Sequence, residues 1–319
     1  MLSRMLSLGR ELIERGAWFF APLSWIWAAA AYCKNKGYDW RWLAAKRVPC
    51  TVVSVGNIVA GGTGKTPFVQ MIASAFAHRK VAILSRGYGK MADEAMLLKR
   101  RLPDAEIYVG KNRALLAEQA ARDGAELILL DDGFQHRRLY RDFDIVLLRG
   151  DDPFGKGHYL PWGFLRDSPR RLNHADAVFV NGPDFCHRAV RILDEKEEEI
   201  LSIEGWKVGL FCGIAHPVSF KKSVDNLGAE AVAEWLLADH EIAQPDRLER
   251  FAVQCKGLDA RALITTEKDF IKGPRCSLPI VFIEIEIEWS EGKERWQKLI
   301  AKIDQEIDNK RTYDRIDKN

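Results

Sequence analysis

No two cysteines in this 319-residue chain stand at C-x-x-C spacing; the six (Cys33, Cys50, Cys186, Cys212, Cys255 and Cys276) are scattered. That excludes a zinc ribbon and a dense disulfide framework, and it fits buried thiols in a reducing compartment. Charge of either sign is not in excess: 48 basic against 45 acidic residues leave +3. Such balance argues against nucleic acid as a partner. There is no internal repeat and no low-complexity tract, which excludes a solenoid. With 47% hydrophobic residues the chain can bury a large core, so global disorder is excluded as well. A spanning helix wants ~20 apolar residues. The uncharged stretch Ala17 to Cys33 is shorter, and Pro22 interrupts it. No signal-peptide cleavage pattern follows a basic start.

What that stretch does hold is aromatic surface: Trp18, Phe19, Phe20, Trp25, Trp27 and Tyr32. Lys34, Lys36, Arg41, Lys46 and Arg47 follow. Apolar aromatic surface beside cationic residues suits an amphipathic helix lying in a membrane interface on the cytoplasmic side. A helix packed on the core and a true span are the competing readings.

The strongest local signal is Gly61-Gly62-Thr63-Gly64-Lys65-Thr66, between the apolar run Cys50 to Val55 and the helix-like run from Phe68. A glycine-rich turn lets backbone N–H groups point at phosphate oxygens, and the helix start adds partial positive charge. Lys65 would reach the β- and γ-phosphates, and the Thr66 hydroxyl would hold Mg²⁺. Two positions depart from common phosphate loops. Val59 stands where the first glycine usually falls, and Ala60 where dimerising ATPases carry a second lysine. Asp131 and Asp132 close the apolar strand Glu126 to Leu130, where a metal-holding carboxylate belongs. The other reading is an exposed Asp-Asp-Gly turn. A guanine-reading N-K-x-D element is missing, since Lys268 abuts Asp269 directly. The expected nucleotide is therefore ATP.

Apolar strands alternate with helical stretches: 80–85, 106–109, 126–132, 144–148 and 177–180, then 208–212, 262–266 and 279–287. This predicts a P-loop NTPase-like α/β domain with a parallel sheet covered on both faces, and a second, smaller α/β domain. The boundaries are set at 1–46 for the N-terminal helix region, 47–203 for the nucleotide core and 204–319 for the smaller domain. The charged run Asp194 to Glu199 reads as a solvated helix or linker face. Trp296, Leu299, Ile300, Ile303 and Ile307 form a helical stripe that reads as core packing.

Together these motifs resemble the tetraacyldisaccharide 4'-kinases of lipid A biosynthesis. The resemblance rests on Val55-Gly56-Asn57 leading into the glycine-rich turn, and on Asp131-Asp132-Gly133-Phe134-Gln135-His136. It continues through Leu84 to Tyr88, Leu160-Pro161, Leu165-Arg166, Ala175 to Ala177 and Thr265 to Asp269. It implies γ-phosphate transfer from ATP·Mg²⁺ to the 4'-hydroxyl of a lipid A disaccharide precursor, at the cytoplasmic face of the bacterial inner membrane. The rival reading is a membrane-recruited ATPase switch. By resemblance Asp93 is the base and His240 its proton partner. Read without it, Asp93 is a helix cap and His240 a surface histidine. Arg113 and Arg166 match positions near nucleotide or acceptor phosphates. Gln135 is expected to orient water or phosphate, His136 to pack in the turn, and Asp167 to stand where the family often has a metal-site glutamate. Asp93 and His240 fall in different predicted domains, so a cleft that closes between them is expected. Only Gly89 to Ala92 separate Tyr88 from Asp93, where relatives insert a longer, lid-like segment, and Ala95 replaces a frequent proline.

Overall fold

The computed structural model describes residues 18–86, 93–214, 217–238 and 241–316. The expectations for His240 and for the short Gly89–Ala92 segment fall outside them. By contacts the described chain forms two units. One comprises residues up to Cys186 together with those from Ile287 onward, and the other is His187–Glu286. The sequence places the break at 203/204 and assigns the whole C-terminal stretch to the smaller domain. In the structure the last helix belongs to the nucleotide unit instead.

The first unit opens with a short 3₁₀ turn, Trp18–Phe20, and helix α1 (Ala21–Asp39). Then follow β1 (Thr51–Gly56), α2 (Lys65–Ala75), β2 (Val81–Ser85), α3 (Asp93–Arg101), β3 (Glu106–Val109), α4 (Arg113–Arg122), β4 (Leu127–Asp131), β5 (Phe143–Arg149) and β6 (Ala177–Asn181); β7 (Phe185–Leu193) begins in this unit and continues from His187 in the second. Its strands lie in the order β3-β2-β4-β1-β5-β6. The pairings of β2 with β3 and β4, of β1 with β4 and β5, and of β5 with β6 are parallel. The β1, β2 and β4 residues are buried throughout, as expected of strands covered on both faces. Sheet order changes direction around β1 and β4, and ligands of such sheets bind beyond the carboxyl ends of the strands there. The register pairs Val55 with Asp131, so the phosphate turn and the paired carboxylates leave the sheet side by side.

Helix α2 buries Phe68, Val69, Ile72 and Ala73, one stripe at helical spacing. Phe68 packs against Phe179, Phe185, Trp289 and Trp296, with ring centroids 5.4, 5.7, 5.9 and 5.5 Å away. Leu299, Ile303 and Ile307 join that core from the last helix, as the stripe predicted. Behind the nucleotide turn there is no room for side chains. A Cβ on Gly56 would come within 2.5 Å of Phe134 Cβ, and one on Gly133 within 2.7 Å of Ser54 Oγ.

The second unit holds β8 (Lys207–Cys212), α5 (Pro217–Asn226), β9 (Glu230–Leu236), α6 (Pro245–Gly257), β10 (Ala262–Thr266), the single turn α7 (Glu267–Phe270) and most of β11 (Ile280–Trp289). Its strands run in the order β11-β10-β8-β9, all parallel. Helix α8 (Lys293–Ile316) closes the chain in the first unit. The charged run after β7 is a tight turn, not a helix. Asp194 Oδ1 accepts from the N–H groups of Lys196 and Glu198, at 2.8 and 2.9 Å, and Glu197 takes a positive φ. Such local side-chain bonding competes with helix formation.

Candidate active site

The site is built on the loop after β1. Gly61 and Gly64 adopt φ of +117° and +82°, which side chains rarely adopt, and Gly64 caps the start of α2. Lys65 and Thr66 are the first two residues of that helix. Val59, anomalous for a phosphate loop, has a packing reason. It is buried with Ile58, Phe134, Val146, Leu148 and Leu165. Leu165 bridges Val59 in antiparallel fashion, Ala60 N–H donates to Phe164 O at 2.7 Å, and Arg166 N–H to Ile58 O at 2.8 Å. This short strand-like contact lifts Arg166 to the carboxylates.

Asp132 sits in left-handed backbone, φ 52°, at the turn after β4. Its two oxygens take both ends of the Arg166 fork, at 2.9 and 3.0 Å. Lys65 Nζ stands 3.6 Å from the same carboxylate. Burial alone would raise the Asp132 pKa, but Lys65 and Arg166 reverse that and hold it well below the usual range. Arg113, also buried, donates to the Asp132 carbonyl at 3.0 Å.

Asp131 is the opposite case. It is buried, and its Oδ1 has no hydrogen-bond partner among the described residues. Burial pushes its pKa up to about 7, and the charge of Glu94 adds to this while Lys65 opposes it. Glu94 lies in the first turn of α3, so the helix that begins at Asp93 starts near the carboxylates. An unpartnered buried carboxylate oxygen beside a phosphate loop fits a hard divalent cation. Among the described residues no cluster of three or more His, Cys, Asp or Glu could hold a metal alone. An ion here would share its coordination with phosphate oxygens and water, as Mg²⁺ commonly does.

Two residues stand elsewhere than the phosphate loop. Asp167 is buried and accepts from Asn35 Nδ2 and from Ser168 N–H, both at 2.8 Å. Its carboxylate therefore faces α1. Gln135 donates through Nε2 to Asn57 O at 2.7 Å, so it ties the Asp-Gly-Phe-Gln turn to the exit of β1.

Asn57, in the sequence only the lead into the glycine-rich turn, links the parts of the site. Fully buried, it donates to Thr63 Oγ1 at 3.1 Å and Gly61 O at 3.4 Å, and accepts from Arg166 at 3.2 Å. One amide thus connects the glycine-rich turn to the arginine. Its position after Val55-Gly56 was visible, but nothing local marks which way an asparagine points.

His136 packs in the turn, with Nε2 buried and unpartnered among the described residues. Burial, then the charges of Arg113 and Arg141, lower its pKa to about 4. The folded chain thus favours the neutral ring, while the unfolded chain takes up a proton below about pH 6.5. Stability present above pH 6.5 should fall by up to about 3 kcal/mol as pH drops toward 4. Chemical unfolding across that window reads the loss, and His136→Gln should flatten it. An unchanged slope in the variant would mean that other groups carry it.

Comparison with known proteins identifies the family. The family model described as tetraacyldisaccharide-1-P 4'-kinase matches residues 16–304. The chain is 36% identical to the tetraacyldisaccharide 4'-kinase of Chlamydia muridarum, covering 91% of this chain and 92% of that one. It is 33% identical to that of Syntrophus aciditrophicus, over 80% and 84% of the two chains. The solved structure of LpxK from Aquifex aeolicus in complex with ATP superposes with a TM-score of 0.70 at 27% identity, over 89% of this chain and 98% of that one. The chain belongs to the tetraacyldisaccharide 4'-kinase family.

Proposed function

We propose that this chain transfers the γ-phosphate of ATP to the 4'-hydroxyl of a tetraacyldisaccharide 1-phosphate, a step of lipid A biosynthesis. The observation that carries the reading is the convergence at the end of β1. Lys65 and Arg166 meet on Asp132, while the neighbouring Asp131 keeps an unpartnered oxygen. The glycine-rich turn and the start of α2 cradle the phosphates, and Lys65, Arg166 and Arg113 neutralise their charge. Thr66 and Asp131 would hold Mg²⁺, with Asp132 available to it once phosphate takes over Lys65 and Arg166; the ion supplies further charge neutralisation. The sugar hydroxyl attacks the γ-phosphorus, its proton passes to the Asp93 carboxylate with His240 as partner, and ADP leaves.

The acceptor is a membrane lipid, and α1 suits that setting. Trp18 in the turn before it, and Trp25, Ile26 and Tyr32 on the helix, are 76, 68, 66 and 62% exposed. Among the described residues no helix is long and apolar enough to cross a membrane. We place α1 in the interface of the inner membrane's cytoplasmic face, with its aromatic residues toward lipid.

The test is radiolabelled γ-phosphate transfer to lipid-extracted disaccharide acceptor, compared with release of free phosphate. Label in the lipid fraction, dependent on acceptor and Mg²⁺, is the expected result. Acceptor-independent release of free phosphate alone would support an ATPase switch and overturn the proposal.

A further inference from the structure

Helix α1 is turned inside out. Its buried residues are Ser24, Asn35 and Gly37, while Trp25 and Ile26 face outward. Buried polar groups need partners: Ser24 and Asn35, joined by the half-exposed Trp27 and the exposed Lys34, find them on the loops around the phosphate site. Ser24 Oγ donates to Tyr159 O at 2.7 Å, and Trp27 Nε1 to Arg166 O at 3.2 Å. Asn35 Nδ2 donates to Asp167 Oδ1 at 2.8 Å, next to Arg166. Lys34 Nζ donates to Gln135 O at 2.8 Å, and the Gln135 amide holds Asn57. Arg137 locks the end of the helix by donating to Asn35 O at 2.8 Å and Asp39 at 2.7 Å.

Two routes therefore run from the polar face of α1 to the phosphate-binding groups. One passes from Asn35 and Trp27 to the Arg166-Asp167 segment, whose guanidinium grips Asp132. The other passes from Lys34 through the Gln135 turn to Asn57, which holds Gly61 and Thr63. An anchor alone would need only the outward face. We propose that α1 is part of the phosphate-gripping scaffold, and that Asn35 and Lys34 are positioning residues for Arg166 and the glycine-rich turn. The inference rests on reading that turn and Arg166 as the ATP site. Small displacements of a positioned cation are enough to matter, since about 1 Å can cost 10²-fold in rate.

The experiment uses the full chain with a fluorescent ATP analogue, kinase kinetics and vesicle partition. Lys34→Met and Asn35→Leu should each raise KM for ATP and the analogue's Kd about tenfold, with vesicle partition unchanged. A merely structural contact would lower the unfolding midpoint and leave Kd alone. Asn35→Leu combined with Arg166→Lys should be non-additive in Kd, because both act on one group. Should Asn35→Leu not fold, the exposed Lys34→Met decides by itself. Wild-type Kd and KM for ATP in Lys34→Met, and in Asn35→Leu where it folds, overturn the inference. Lys65→Ala separates the two failures. If it loses the analogue while the α1 variants keep it, only the scaffold role falls. If it binds normally, the ATP-site reading falls with it.

Discussion

Lys65→Ala should lower γ-phosphate transfer by about 10³-fold, a loss typical of removing a preorganised charge that meets developing negative charge. The side chain is placed for that work. It leaves the first position of α2 and is only 17% exposed, and its ammonium faces Asp132 at 3.6 Å. Its charge also opposes the upward shift of Asp131, so it acts on both carboxylates. Folding should be little affected. Asp132 keeps both bonds to Arg166 when Lys65 is removed. A partly exposed pair at this separation contributes about 1 kcal/mol or less. Rate and stability therefore separate: single-turnover transfer should collapse while the unfolding midpoint moves by a few degrees at most. Transfer within tenfold of wild type would mean that Lys65 does not hold the phosphates.

How much of this could be read from the chain varies with the kind of signal. The strands of the nucleotide unit were legible because each is a short, continuous apolar run buried on both faces, as with Val81–Ser85 and Leu127–Asp131. The glycine-rich turn and the paired aspartates were legible because φ above zero and buried charge demand particular residues. Strand β9 was not, since Glu230-Ala231-Val232-Ala233-Glu234 is rich in good helix formers. Pairing with β8 overrides that propensity. Helix α6 carries a readable stripe in Leu248, Phe251, Ala252 and Cys255, with Pro245 at its start. The return of α8 to the first unit leaves no local trace, because an apolar stripe records that it is buried and not against what. The division of labour between the aspartates was hidden for the same reason. Asp131 and Asp132 are adjacent and chemically alike, and only the side chains around them make one a salt-bridge partner and leave the other open.

Asp93→Asn should lower transfer to the sugar by about 10²–10⁴-fold, the range for loss of a positioned general base. Asparagine is the informative choice here. Asp93 is the first residue of α3, so the competing role is to stabilise the start of that helix. In the first turn a carboxylate stabilises the helix through its dipole by about 0.3–1 kcal/mol, so a purely structural Asp93 would lose only that little stability as asparagine. A structural residue would therefore keep its rate in Asp93→Asn and lose little stability. A base would not, because the amide cannot accept the hydroxyl proton. ATP binding should persist in the variant, since Lys65, Arg166 and the glycine-rich turn are untouched, so kcat should fall while KM for ATP stays near wild type. His240→Gln should cost less than Asp93→Asn, and the double variant should lose little more than Asp93→Asn alone, as expected of groups that act as a unit. Full activity of Asp93→Asn on the lipid disaccharide would return Asp93 to the role of a helix cap and leave the proton to another group.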